Sequence, residues 1–270
     1  MYHTVIFDLD GTLLQSNVQT SEYTNKTLNA LIEKGMLFSY ATARSYLTAS
    51  KVTAGLRTDI PLVVYNGAAL VDGRDGFPML KNFFGAEIGE VLEDLFVNGV
   101  YPIVYAFLDG EEKFSYIPAR CTSGMVTFLD SRKGDIRTHP VVDEEGLLQG
   151  EIFYLTCIDQ KDKLEPLYEK YRDRYHCVFQ KEIYTQEQWL EIMPLEASKS
   201  HAIIQLKKQL DCDRLVVFGD GKNDMDMFEI ADECYAVENA VPELKAMATA
   251  VIDSNDSDGV ARWLAGHFAT

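Results

Sequence analysis

The stretch Val5-Ile6-Phe7-Asp8-Leu9-Asp10-Gly11-Thr12 decides how the rest of the chain is interpreted. Its apolar start predicts a strand buried on both faces of a parallel sheet, and its glycine predicts a turn. Residues two apart in a strand face the same way, so Asp8 and Asp10 are expected to converge where parallel sheets bind ligands, at the strand's carboxyl end. Two neighbouring carboxylates must share a proton or hold a cation. A divalent cation there indicates phosphate chemistry.

A second buried strand ends in acids far along the chain. Leu215-Val216-Val217-Phe218 is followed by Gly219-Asp220-Gly221-Lys222-Asn223-Asp224. An acidic turn that caps a helix would explain the first pair of acids alone, but it does not explain two sites of the same form. If the two strands are neighbours, Asp220 and Asp224 face the same crevice as the first pair. Four acids then form an oxygen-rich site suited to Mg2+.

Other apolar runs also place a polar residue at their carboxyl end. Residues 36–41 lead to Thr42, and residues 62–65 lead to Asn66. Further elements alternate with these strands: helices at 21–33 and 45–54, and strands at 234–237 and 250–252. Such alternation predicts an α/β fold with a doubly wound, Rossmann-like parallel-sheet core, in which the polar residues at the strand ends converge.

The alternation is interrupted between Asn66 and Gly219, and 270 residues exceed the usual single-domain core. We expect a core built from residues 1–82 and 189–270, with residues 83–188 forming an inserted α+β domain. Within the insertion, Asp109-Gly110 between two apolar runs predicts a hairpin. The other elements expected there are helices at 86–98 and 161–175 and a strand at 151–158.

Composition limits the partners. The chain is 47% hydrophobic and 25% charged, without a run of about 18 apolar residues, so no membrane is expected. Its formal net charge of −17 opposes binding to nucleic acid, and an anionic substrate would need local cations such as Lys199 and Arg44. The residues before the first strand do not have the pattern of a secretory leader, so secretion by that route is not expected, and five scattered cysteines fit reduced thiols. A cytoplasmic location is therefore expected, and the oligomeric state is left open.

Four motifs in this order resemble the haloacid dehalogenase superfamily of hydrolases, most closely its Cof-like sugar-phosphate phosphatases. The first motif, DxDGT, is Asp8 to Thr12, and the second is Thr42 at a strand end. The third is Lys199, and the fourth, GDxxND, spans residues 219–224. The resemblance covers essentially the whole chain, and it implies that residues 83–188 form an inserted α+β cap domain that sets substrate specificity. Ala43 departs from it, because that subgroup commonly has glycine there, but the change removes no functional group.

The resemblance implies a role for each of these residues. Asp8 would be the nucleophile that forms an aspartyl-phosphate, and Asp10 the general acid and base. The implied Mg2+ ligands are Asp8, Asp10 through its backbone carbonyl, Asp220, and Asp224 directly or through water. The implied phosphate-binding residues are Thr42, Lys199 and Asn223, and those implied on the leaving-group side are Arg44 and Asn66.

The expected function is Mg2+-dependent hydrolysis of a small phosphate ester, a sugar phosphate in particular. Two alternatives remain open. A phosphomutase would use the same Asp8 chemistry but return the phosphoryl group to a bound sugar, and the difference lies in how well the cap excludes water. A non-catalytic module that senses a metabolite or binds a protein would not need both Asp8 and Asp10.

Overall fold

The computed structural model describes residues 3–181, 187–212 and 214–268. Its strands are β1 His3–Phe7, β2 Leu37–Tyr40, β3 Leu62–Val64, β4 Ala69–Val71, β5 Pro78–Lys81, β6 Ile103–Leu108, β7 Glu111–Tyr116, β8 Thr138–Pro140, β9 Glu151–Asp159, β10 His176–Lys181, β11 Gln188–Met193, β12 Arg214–Gly219, β13 Glu233–Val237 and β14 Ala250–Ile252. Its helices are α1 Glu22–Glu33, α2 Tyr46–Val52, α3 Ile88–Val97, α4 Ser123–Asp130, α5 Glu144–Leu147, α6 Lys161–Tyr171, α7 Lys199–Leu210, α8 Met225–Glu229, α9 Pro242–Met247 and α10 Gly259–Phe268.

The chain divides into two units, one made of Met1–Lys81 and Ala197–Thr270 and the other of Asn82–Glu196. We expected the chain to return to the core at residue 189, but in the structure the second unit continues to Glu196. β11 pairs antiparallel with both β9 and β10, so it belongs to the sheet of the second unit. Its apolar residues indicate a buried strand, but they do not encode which sheet the strand joins.

The first unit contains a parallel five-stranded sheet with the order β14-β13-β12-β1-β2. β1 lies between β12 and β2, with Phe7 paired to Phe218 on one side and to Tyr40 on the other. These three aromatic residues are fully buried, and the ring centroids of Phe7 and Phe218 lie 5.3 Å apart. The predicted doubly wound fold is confirmed, and β1 and β12 are neighbours as the site requires.

One predicted strand of the parallel sheet has a different place. β3 forms an antiparallel three-stranded sheet with β4 and β5, and a single parallel bridge between Ala41 and Val63 joins it to the end of β2. Tyr65 and Asn66 follow β3 with φ angles of 52° and 51°. This left-handed turn ends β3 and brings Asn66 back, so that its N–H donates to the Thr42 carbonyl oxygen at 2.9 Å.

The second unit is built on a six-stranded sheet with the order β10-β11-β9-β6-β7-β8. The predicted hairpin joins β6 to β7, and both of its turn residues, Asp109 and Gly110, have positive φ angles. Apolar side chains from α3, α6 and one face of the sheet form its core, including Leu95, Leu155 and Leu164. Among the helices of the described part of the chain, none has the length and apolar character needed to cross a bilayer.

Candidate active site

The candidate site begins at Asp8, which follows the central strand of the parallel sheet. The Asp8 N–H donates to the carbonyl oxygen of Phe218 at 3.0 Å, so the end of β1 stays in register with the end of β12. A π-helical turn, Leu9–Leu13, follows, with Gly11 at a φ of 77°. A Cβ at Gly11 would clash with the carboxylate of Asp220, so glycine is required here by both conformation and space.

Lys199 lies at the centre of the site. It is the first residue of α7, which Ser198 caps by accepting a hydrogen bond from the His201 N–H at 3.2 Å. The Lys199 ammonium is 1% exposed and donates to Asp8 Oδ1 and to Asp224 Oδ1, both at 2.6 Å. A lysine is almost never buried this fully without partners, and two carboxylates supply them.

The GDxxND turn orients the other two acids. Asp224 Oδ2 accepts from the backbone N–H groups of Asp220 and Gly221, both at 2.9 Å, and Asp224 is fully buried. Thr12 Oγ1 donates to Asp220 Oδ1 at 2.9 Å. Oxygen atoms of Asp8, Asp220 and Asp224 all lie within 4.8 Å of one another. Side chains from distant parts of the sequence thus meet at one edge of the sheet.

The charges in this cluster do not balance. Three carboxylates and one ammonium leave a formal charge of −2 when all are ionised. Burial, followed by the charges of Asp224, Asp220 and Asp10, raises the pKa of Asp8 despite the opposing effect of Lys199. Burial and Asp224 raise the pKa of Asp220 to about 7. A divalent cation would complete this charge balance, and a set of hard carboxylate oxygens fits Mg2+.

The pKa of Lys199 moves in the opposite sense to what burial alone would cause. Burial lowers it, but the charges and hydrogen bonds of Asp224 and Asp8 outweigh burial and hold it above its ordinary value. Lys199 therefore remains a cation in the absence of any ligand. A fixed ammonium of this kind is suited to binding a phosphoryl oxygen.

Asp10 lies at the rim of this cluster. Its side chain is 50% exposed, and its two oxygens accept from Arg44, Oδ2 from Nε at 2.7 Å and Oδ1 from Nη2 at 2.5 Å. The three carboxylates that meet closely are those of Asp8, Asp220 and Asp224. Arg44, expected on the leaving-group side, is thus joined directly to the residue expected to act as the acid.

Thr42, Asn66 and Asn223 are joined by hydrogen bonds, Thr42 to Asn66 and Asn66 to Asn223. Thr42 is fully buried, and its Oγ1 accepts from the Arg44 N–H at 3.1 Å. Asn223 Nδ2 donates to Asn66 Oδ1 at 3.5 Å. The residues predicted to bind phosphate and to line the leaving-group side therefore share contacts.

Three residues around the site were given no role from the sequence. Thr12 orients Asp220, Asn239 donates to the Gly11 carbonyl oxygen, and Asn255 donates to that of Leu14. Thr12 lies inside the first motif, and this position could have indicated that it has a role in the site. The two asparagines lie in segments, residues 238–240 and 254–260, that resemble core segments of the subgroup, but their partners lie 228 and 241 residues away in the sequence, so no role was assigned to them.

Comparisons with known proteins agree on one family. The sequence model of the haloacid dehalogenase-like hydrolases, Hydrolase_3, matches residues 5–264. A 5-amino-6-(5-phospho-D-ribitylamino)uracil phosphatase of Bacillus subtilis (strain 168), YwtE, is 27% identical over 281 residues, with 96% of each chain covered.

Solved structures have the same fold. The crystal structure of TM0651 from Thermotoga maritima is 25% identical with a TM-score of 0.77, covering 98% of this chain and 97% of that one. The subclass IIB sugar phosphatase BT4131 is 20% identical with a TM-score of 0.76, covering 99% of each chain. The predicted class of enzyme, a phosphatase of this superfamily, is confirmed. The chain belongs to the haloacid dehalogenase-like hydrolases.

Proposed function

We propose that the chain is a Mg2+-dependent phosphomonoester hydrolase that acts on a small phosphorylated metabolite, a sugar phosphate in particular, through an aspartyl-phosphate on Asp8. The observation that carries the proposal is the buried cluster in which Lys199 bridges Asp8 and Asp224 beside Asp220. A purely structural ion pair would not need a third carboxylate, that of Asp220, beside the two that already pair with Lys199. Asp8, Asp220 and Asp224, with the Asp10 carbonyl, are the residues that would hold the metal.

In the first step, a carboxylate oxygen of Asp8 attacks the phosphorus atom. The new bond joins Asp8 to phosphorus, the bond from phosphorus to the ester oxygen breaks, and Asp10 gives its proton to the departing oxygen. Bound Mg2+ supplies positive charge that offsets repulsion between the carboxylate and the phosphoryl oxygens. Lys199, Thr42 and Asn223 bind those oxygens as charge spreads over them.

In the second step, Asp10 takes a proton from a water molecule. The water oxygen bonds to phosphorus, the bond to Asp8 breaks, and inorganic phosphate leaves. We infer that the pair between Asp10 and Arg44 opens in each step, because protonation removes the negative charge that pairs with the guanidinium. We infer that Arg44 then turns to the leaving-group side of the pocket with Asn66.

We also propose that residues 82–196 provide the substrate specificity of the enzyme. This unit has its own sheet and core, so its surface can vary without disturbing the catalytic strands. The phosphorylated ribitylaminouracil named for the Bacillus relative is one ester to include among candidate substrates.

The test is phosphate release from a panel of sugar phosphates, the phosphorylated ribitylaminouracil and an aryl phosphate, with Mg2+ and with EDTA. We expect turnover that requires Mg2+ and that Asp8→Asn abolishes. Asp59→Asn, an exposed aspartate paired with Arg57, is the matched control and should keep full activity. Turnover that survives EDTA or Asp8→Asn would contradict the proposal. An isomeric sugar phosphate formed in place of phosphate would favour the phosphomutase.

A further inference from the structure

We propose that Asn239 is a positioning residue for Asp10: its side-chain amide holds the turn that carries the general acid. Asn239 Nδ2 donates to the carbonyl oxygen of Gly11 at 2.6 Å, one peptide beyond Asp10. The inference rests on the proposed function, because it concerns how accurately Asp10 is placed against the leaving group.

The turn needs support from outside. Asp10 has an extended backbone (φ −73°, ψ 122°) and Gly11 a left-handed one, so the π-helical turn is irregular at the position that matters. Glycine also allows more backbone freedom than any other residue. The side chain of Asp10 points to Arg44, and in the proposed mechanism this contact opens during turnover. The Gly11–Thr12 peptide, the second after Asp10, is held instead by a side chain that takes no part in the proposed reaction.

Two asparagines from the far end of the chain supply this support. Asn239 follows β13, and its Oδ1 accepts from the Asn255 N–H at 3.1 Å. Asn255 is 8% exposed, and its Nδ2 donates to the Leu14 carbonyl oxygen at 2.9 Å. The turn is thus held at Gly11 and again at Leu14, and the two holding residues are joined to each other.

The amide side chain of Asn239 satisfies both contacts. It donates to a carbonyl oxygen and accepts from a backbone N–H at the same time, and these two partners fix which atom is nitrogen and which is oxygen. Aspartate has no donor when ionised. Asn239→Asp therefore keeps an acceptor for Asn255 but loses the bond to Gly11, whereas Asn239→Ala loses both.

The test compares two leaving groups. An aryl phosphate such as p-nitrophenyl phosphate leaves as a weak base and needs little help from an acid, whereas the alkoxide of a sugar phosphate needs a proton from Asp10. The value of kcat/KM reports the steps up to and including departure of the leaving group. In both Asn239 variants, we expect kcat/KM for the sugar phosphate to fall at least about tenfold more than kcat/KM for the aryl phosphate. This loss is smaller than the about 100-fold or more that a general acid contributes, because the variants misplace Asp10 without removing it.

Asn29 offers a matched control in the same unit. Its Nδ2 donates to the Gly55 carbonyl oxygen at 2.8 Å and its Oδ1 accepts from the Arg57 N–H at 2.9 Å, the same pair of contacts away from the site. Asn29→Ala should leave the ratio of the two kcat/KM values unchanged. An equal loss on both esters in the Asn239 variants, or no loss, would overturn the inference while the proposed function stands. An inactive wild-type enzyme would contradict the proposed function itself, and the inference with it.

Discussion

The buried carboxyl of Glu191 makes the stability of the second unit depend on pH. Glu191 lies in β11, paired with Thr156 of β9 and Val178 of β10, and is 6% exposed. Burial raises its pKa from the ordinary 4.5 to about 7, although a hydrogen bond with Tyr154 acts in the opposite direction. The folded protein therefore keeps a proton on Glu191 over a pH range in which the unfolded chain has already lost it.

The sign and size of the effect follow from this difference. For a carboxyl whose pKa is raised on folding, its contribution to stability is fully present below pH 4.5, falls as the pH rises, and is lost once the pH exceeds about 7. A difference between 4.5 and about 7 corresponds to about 3 kcal/mol of unfolding free energy across that window. Glu191→Gln keeps the shape and cannot ionise, so it should lack this loss.

The effect is measured by urea unfolding of the wild type and of Glu191→Gln at several pH values between about pH 5 and about pH 8.5. Tryptophan fluorescence is the readout, because Trp189 lies in the same strand as Glu191. We expect the variant to gain about 2–3 kcal/mol relative to the wild type over this range and the difference to level off above about pH 8. Glu151→Gln, an exposed glutamate at the start of β9, is the control for loss of a charge. A difference that does not change with pH, or that grows as the pH falls, would refute the reasoning.

Three further substitutions test the site. Lys199→Met leaves two buried carboxylates without their cation. We expect the unfolding free energy to fall by about 3 kcal/mol or more and kcat to fall at least about 100-fold. A fully stable, active variant would show that the ammonium is dispensable. Gly67 has a φ of 97°, and Gly67→Ala places a Cβ against the carbonyl oxygen of Ser198. Calorimetry should show that the unfolding free energy falls by about 2 kcal/mol or more. An unchanged Tm would mean that the two backbones do not approach each other so closely. Arg44→Gln removes a half-exposed ion pair with Asp10, so the unfolding free energy of the variant should stay within about 1 kcal/mol of the wild type. The KM for sugar phosphates should rise. A large loss of stability with an unchanged KM would contradict a substrate-side role for Arg44.

Local sequence patterns were sufficient for most elements of the first unit. Mainly apolar runs that end in polar residues identified β1, β2 and β12 as buried parallel strands, and Ser21 and Ser45, where the two expected helices begin, cap α1 and α2. These features depend on residues within one element and its next turn. The same holds for Asp109-Gly110, because a tight hairpin with two positive φ angles favours such a pair.

The local sequence pattern could not predict pairing between elements that are far apart in the sequence. The residues of β11 indicate a buried strand, but its partners β9 and β10 could not be read from them, so the expected domain boundary fell short of Glu196. The pair between Arg44 and Asp10 and the contacts of Asn239 join elements that are separate in the chain. Local propensity carries no information about such contacts, which depend on the packed fold.

The most direct test of the proposed mechanism is to trap the phosphorylated enzyme. Asp10→Asn should slow attack by water more than formation of the intermediate when the ester is p-nitrophenyl phosphate, so the intermediate should accumulate with Mg2+ present. Acid quenching followed by peptide mass spectrometry should then find one phosphoryl group on Asp8, and none when Asp8→Asn is added. A variant that turns over the ester without any label on Asp8, or a label that persists when Asp8 is replaced, would contradict the nucleophile on which the mechanism depends.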